Sequence, residues 1–201
     1  MTCQKCSALC TSRTQIVEPD LPEFGRPCKV LVVGEAPGAD EDTQGKGFVG
    51  RAGRTLHALL EEHGLRRGFD YGCANIVRCR PPENRRPTKT EIGNCLPYLA
   101  EILSRSKPRA VLAVGDTAAR VFMGKSGLRE SMDRLHHADQ CPRRFLGYGS
   151  ILDMKWPYKT NLFIMPHTSP LAWNRNAPDG RKWSEIGREQ VRLMAERLRP
   201  Y

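Results

Sequence analysis

The 201-residue chain has no apolar run approaching the 18 or so residues that a membrane-spanning helix requires. Neither the uninterrupted apolar stretch of a secretory signal nor a transit-type segment precedes the first cysteines in "MTCQKCSALCTSRTQ". A soluble protein of a reducing cytoplasm, with no membrane partner, is therefore expected. In that compartment glutathione keeps thiols reduced, so the eight cysteines read as ligands, core residues or reactive thiols rather than disulfides. Internal repeats and low-complexity tracts are missing too. Acidic residues are in deficit, 22 against 32 Lys and Arg, and the formal charge of +10 favours a polyanionic partner such as a phosphate backbone.

What is present has the length of one domain, residues 1–201. "KVLVVGEAPG" runs from a continuous apolar stretch, Val30 to Val33, into a glycine turn, the pattern of a buried parallel strand followed by a loop. Similar strands are expected at Cys73–Arg78, Ala110–Gly115 and Asn161–Pro166. Leu56, Leu59 and Leu60 are spaced for one helix face, and Ile92, Leu96, Leu99 and Leu103 for another. Asp116 is the expected N-cap of a helix over "TAARVFM", and "WSEIGREQVRLMAERL" reads as a C-terminal helix. Leu128 to Lys159 shows no firm period and reads as a loop, with a short strand around Phe145 to Leu152. The alternation predicts an α/β fold with a small four-stranded parallel sheet flanked by helices. Ligands of such sheets bind beyond the carboxyl ends of the strands, which directs attention to Gly34–Gly53, Cys79–Pro87 and the segment from His167 onward.

Three constellations stand out. "GEAPGADEDTQGKGFVGRAGR" packs six glycines around Glu35, Asp40, Glu41 and Asp42, suited to close backbone approach and to base catalysis or metal binding. It is not read as a dinucleotide fingerprint, and no G-K-[ST] follows to make it a Walker loop. Cys3 and Cys6, with Cys79 and Cys95, form a soft four-sulfur set that suits tetrahedral zinc or an iron–sulfur cluster, between which spacing does not choose. Cys10 is a fifth candidate, whereas Cys28, Cys73 and Cys141 read as small residues in or near the core. "MPHTSPLAWNRN" places His167 just after the last strand, where it can donate to a developing anion.

Together, "CQKCSALCTSRTQIV", "VVGEAPGADEDTQGKGFVGRAGRTL", "ANIVRCRPPENRRPT" with Cys95, and the histidine motif resemble the family 4 uracil-DNA glycosylases, over nearly the whole chain. The histidine motif departs from the more usual His-Pro-Ser by reading His-Thr-Ser-Pro. The resemblance implies a uracil-DNA glycosylase-like fold and release of uracil from single- and double-stranded DNA to leave an abasic site. It also implies a [4Fe–4S] cluster on Cys3, Cys6, Cys79 and Cys95 that staples the N-terminal segment, and a monomer of bacterial or archaeal cytoplasmic type. "RPPENRRPTKTE" lacks the histidine of a covalent-trapping relative, which implies turnover.

The resemblance further assigns roles. Phe48 stacks on uracil and Asn75 reads its polar edge, an amide offering a donor to O4 and an acceptor for N3–H. His167 bonds uracil O2 as charge develops. Glu35 is the first choice for positioning water, with Glu41 its rival or a barrier to thymine, and the backbone around Ala36 completes the pocket. Arg85, Arg86, Ser169 and Arg175 are candidates for phosphate contacts, and Leu171 or Trp173 for a wedge filling the vacated stack. The alternative is a non-catalytic DNA-binding or damage-sensing module of the same fold.

Overall fold

The computed structural model describes residues 3–23, 26–124, 127–137 and 160–199. Four parallel strands, β1 (Val30–Gly34), β2 (Tyr71–Asn75), β3 (Ala110–Val114) and β4 (Asn161–Met165), lie in the order β2-β1-β3-β4. The register sets Gly34 beside Asn75, and Val30 beside both Tyr71 and Ala110. Their continuous apolar character follows from burial on both faces. On one face Leu31, Val33, Val111, Ala113, Leu162 and Ile164 join one core cluster; on the other, Val30, Val32, Leu112, Val114, Phe163 and Met165 join a second.

The helices supply the matching surfaces. In chain order they are α1 (Ser7–Ser12), α2 (Ala39–Gln44), α3 (Arg51–Glu61), α4 (Lys89–Ser106), α5 (Asp116–Met123), α6 (Leu128–His137), α7 (Pro170–Trp173) and α8 (Trp183–Leu198). Leu56, Leu59 and Leu60 of α3 pack with Val191 and Met194 of α8 under one face, while Ile92, Leu96, Leu99 and Leu103 of α4 pack with Phe122 of α5 under the other. Both leucine stripes thus bury as their spacing predicts.

Several boundaries differ from the sequence expectation. β2 starts at Tyr71 and ends at Asn75, so residues 76–78 lie beyond the strand; there Ile76 and Val77 donate to the carbonyls of Gly34 and Glu35. Asp116 is the first residue of α5 rather than its cap, a position taken by Gly115, and its carboxylate accepts from Arg120 instead. The stretch from Leu128 opens as helix α6, not as a loop, with Met132 and Leu135 buried. The strand expected around Phe145 to Leu152, and Cys141, lie outside the described residues. Cys28 and Cys73 are core residues as expected.

Loop 81–88 is ordered by its own charges. Glu91, at the third helical position of α4, accepts both guanidinium nitrogens of Arg85 at 2.7 and 2.9 Å and the Thr88 amide at 2.7 Å, while its own amide donates to the Thr88 hydroxyl. This is a capping box joined to a bidentate ion pair. Arg85 holds the Glu91 carboxyl at about 2, below its ordinary 4.5, so the pair stabilises fully above that ordinary value and its contribution drains away as pH falls toward 2. Glu91→Gln should cost about 1–2 kcal/mol at pH 7, discounted for the half-exposed Arg85. Thermal unfolding measured at pH 7 and pH 3 checks this: the gap between variant and wild type should narrow in acid.

Candidate active site

The strand order reverses direction between β1 and β3, and a cleft of about 1010 Å³ opens at the carboxyl ends of the strands, where such sheets bind ligands. The segment after each strand contributes: Glu35 and Ala36 after β1, Asn75 at the end of β2, Asp116 and Thr117 after β3, and His167 after β4. Phe48 and Glu41 enter from the glycine loop, Arg85 and Arg86 from loop 81–88, and Ser169, Leu171 and Arg175 from the segment around α7. Of the non-cysteine candidates named from the sequence, all but Trp173 and Asp42 therefore face one cleft.

Phe48 and Asn75 meet over Gly34. A Cβ at residue 34 would lie 2.6 Å from both the Asn75 amide oxygen and the Phe48 ring edge, so only glycine lets an aromatic and an amide share this floor. The glycine loop above them is not loose. Gly45, Gly47 and Gly50 do fall at G-x-G-x-x-G spacing, yet they separate α2 from α3 and do not follow a strand, so the spacing carries no dinucleotide geometry.

His167 opens to the cleft, and its Nδ1 accepts the Ser169 amide at 3.1 Å. In the neutral ring the hydrogen is then on Nε2, which makes that nitrogen a donor. Desolvation lowers the imidazole pKa, against the opposing pull of Glu35 and Glu41, and this favours the neutral form near pH 7. The departure at Thr168 has a structural meaning: the buried Thr168 hydroxyl donates to the Ala52 carbonyl at 2.7 Å, tying the histidine turn to α3. Pro170 then starts α7, where its missing amide hydrogen costs nothing.

The two glutamates are held differently. Glu41 accepts the backbone amides of Gly38, Val49 and Gly50 at 3.1, 2.9 and 2.8 Å, so its oxygens brace the glycine loop. Glu35 accepts a hydrogen bond from the Thr117 hydroxyl, and Arg86 stands 3.8 Å away. Thr117 was missed in the sequence, although the rule of looking after strands applies to β3 as it does to the others. Among the arginines, Arg85 is engaged by Glu91, and Arg86 approaches Asp116 at 3.3 Å. Leu171 is 79% exposed on the rim, whereas Trp173 is buried against Gly187, which excludes it as a wedge.

The cysteine set lies apart from the cleft. Arg13 donates to Cys79 Sγ at 2.9 Å and to the Cys3 carbonyl at 2.7 Å, and Asn94, the neighbour of Cys95, donates to Cys6 Sγ at 3.3 Å. Burial raises the thiol pKa values of Cys79 and Cys95, with a further push from Cys3 on Cys79 and from Cys79 and Cys6 on Cys95. Cys10 lies in α1 with its thiol 3.6 Å from the Cys3 carbonyl oxygen. Among the described residues no group of three or more His, Cys, Asp or Glu side chains is set to hold a metal ion. The buried Nε of Arg78 has no hydrogen-bond partner; its guanidinium lies 3.8 Å over the Tyr98 ring.

Sequence comparison adds an independent line. Residues 22–188 match the Uracil DNA glycosylase superfamily. A Type-4 uracil-DNA glycosylase of Pyrobaculum aerophilum is 47% identical over 100 residues, half of each chain. One from Thermotoga maritima is 41% identical over 122 residues, 60% of this chain and 62% of that protein, and one from Archaeoglobus fulgidus is 40% identical over 121 residues, 60% and 58%. The alignments span between half and just over three-fifths of these relatives' length. No helix among the described residues is long and apolar enough to cross a membrane.

Proposed function

Because the chain belongs to the uracil-DNA glycosylase superfamily, we propose that it hydrolyses the N-glycosidic bond of deoxyuridine in DNA, releasing uracil and leaving an abasic site. The observation that carries this reading is the shared cleft in which Phe48, Asn75, His167 and Glu35 converge from the loops beyond the strands. Single- and double-stranded uracil DNA are both substrates, and the chain works as a one-domain monomer.

Extrusion of the base costs a few kcal/mol, which phosphate contacts and a wedge can offset. Leu171, exposed on the rim, is that wedge. Arg175, with the positive surface implied by the charge of +10, meets the backbone; Arg86 joins it, and Arg85 shapes the loop through Glu91. Phe48 stacks on the extruded ring. Asn75 donates to O4 and accepts N3–H, a pattern that cytosine reverses. His167 donates its Nε2 hydrogen to O2 as negative charge moves onto the departing base, and no proton transfer is required. Glu35, oriented by Thr117, holds the attacking water and faces the oxocarbenium-like sugar. Glu35→Gln should lower the single-turnover rate by about 10²-fold with little change in DNA affinity.

The donor chemistry of Cys3, Cys6, Cys79 and Cys95, all free thiols, suits a [4Fe–4S] cluster, and the likeness to Type-4 uracil-DNA glycosylases supports that reading, although the described side chains are not gathered as a ligand set. When bound, it cross-links the N-terminal arm to the segments at Cys79 and Cys95 and takes no part in the hydrolysis. Iron and acid-labile sulfide analysis of purified protein should find both, with broad visible absorption; colourless protein holding zinc alone would refute the cluster.

The function itself is tested by incubating the protein with oligonucleotides carrying one uracil, thymine or cytosine, followed by alkali. Strand breaks at uracil alone are expected. Folded protein that leaves every strand intact would instead favour a DNA-binding module without hydrolysis.

A further inference from the structure

The residue assigned to stacking sits in a conformation that bulky side chains avoid, Phe48 having φ +58°. A non-glycine residue in that region costs about 1–3 kcal/mol and persists only where its surroundings impose it. Here they do. Arg67 donates through Nη2 to the Gly47 carbonyl at 2.6 Å and reaches the Phe48 carbonyl through Nη1 at 3.4 Å, while its Nε is anchored on Asp20 at 2.7 Å. His57 Nε2 lies 2.9 Å from the same Phe48 oxygen and 2.8 Å from Arg67 Nη1, so ring and guanidinium close on that carbonyl together, and its Nδ1 is 2.8 Å from the Tyr71 hydroxyl. Burial, followed by the nearby Arg67 charge, lowers the His57 pKa and favours a neutral ring. Beneath the carbonyl stands Gly53, where a Cβ would lie 2.1 Å from the Phe48 oxygen.

None of Asp20, His57, Arg67 or Tyr71 lines the cleft; they form a second layer behind its wall. The contacts of Arg67 and His57 end on the carbonyls of the two peptides that flank the Phe48 Cα, so they fix the backbone turn that aims the ring, while Asp20 and Tyr71 hold the two side chains from behind. Arg67 is suited to this by shape, since its planar fork spans two carbonyls and a carboxylate at once, which a lysine ammonium cannot do.

We propose that Arg67, with His57 beside it, is a positioning residue for base recognition: by clamping the Gly47 and Phe48 carbonyls it holds the Phe48 ring over Gly34 and against Asn75. The inference rests on the glycosylase reading and names a residue that acts on uracil only through Phe48. Asp20 extends the clamp to the N-terminal arm, because its backbone also pairs with Cys73 of β2.

The test is a double-mutant cycle on the full chain, with Arg67→Lys, Phe48→Leu and the double variant, read by single-turnover excision from a uracil oligonucleotide. Affinity for an oligonucleotide carrying a tetrahydrofuran abasic analogue, which offers no base to stack, is measured alongside. Arg67→Lys should slow excision about tenfold while abasic-analogue affinity stays within about twofold, and the double variant should be no slower than Phe48→Leu alone. Losses that multiply in the double variant, or analogue affinity falling in step with rate, would overturn the inference. If Arg67→Lys does not fold, Gly53→Ala takes its place in the cycle, since it displaces the Phe48 carbonyl from below with Arg67 intact. Wild-type protein that leaves uracil in place overturns the glycosylase reading and this inference with it; an active wild type with multiplicative losses overturns the inference alone.

Discussion

Replacing His167 with alanine should lower the single-turnover rate of uracil release by about 10²–10³-fold, the loss seen when one preorganised donor to a developing anion is removed. Affinity for uracil DNA should fall far less. The expectation follows from the Ser169 amide, which occupies Nδ1 and leaves Nε2 as the donor, and from desolvation that favours a neutral ring. Such a donor strengthens as charge reaches O2 and does little for the uncharged base, so its removal acts on the rate. Equal losses in rate and affinity would mean that His167 only helps to hold DNA. Protonation adds a second check. With its pKa below the ordinary imidazole value, His167 stays neutral down to a lower pH than a free histidine, and any acid inflection in the rate that belongs to it should vanish in His167→Ala.

Asn75→Asp should have an effect of at least that size on uracil and a different sign on cytosine. In the proposed reading the amide meets uracil with one donor and one acceptor, and a carboxylate keeps only acceptors, so O4 would lose its partner inside a desolvated pocket. Sites built to bond a polar edge reject a mismatch by about 10⁴-fold or more. The aspartate can instead accept from the cytosine N4 amine, so release of cytosine should rise above the wild-type background. Measuring both bases on matched oligonucleotides checks this; unchanged uracil release in Asn75→Asp would remove Asn75 from recognition. The geometry leaves little room for compensation, because Asn75 is fixed by its register against Gly34 and crowded by the Phe48 ring.

How far the sequence foretold this arrangement depended on which physical signal each residue carries. Val30–Val33 and Ala110–Val114 are buried on both faces, and a continuous apolar run announces that directly. The stripes of α3 and α4 were equally plain. β2 starts two residues and ends three residues before the expected bounds, because Ile76 and Val77 stay apolar and buried after leaving the sheet, so burial persists where pairing ends. Asp116 has the side chain of a cap but the position of a first-turn residue, since Gly115 takes the bend at φ +89°.

At the site, the residues that face the cleft could be found from the rule that loops after strands bind ligands, and the family resemblance supplied their roles. Their supports could not. Thr117, Arg67 and His57 act through hydrogen bonds to residues 82, 20 and nine positions away, and no local pattern encodes those pairings. The same limit applies to Glu41 and Arg85: both line the cleft, and the bracing each gives to its loop could not be read from the sequence.

The central claim is that one extruded pyrimidine sits among Phe48, Asn75 and His167, and a crystal structure of the protein soaked with uracil tests it most directly. The ring should lie flat on Phe48, with its O4 and N3 within hydrogen-bonding distance of the Asn75 amide and its O2 facing His167 Nε2. Uracil bound elsewhere, or a cleft that stays closed to it while the enzyme remains active, would contradict the account.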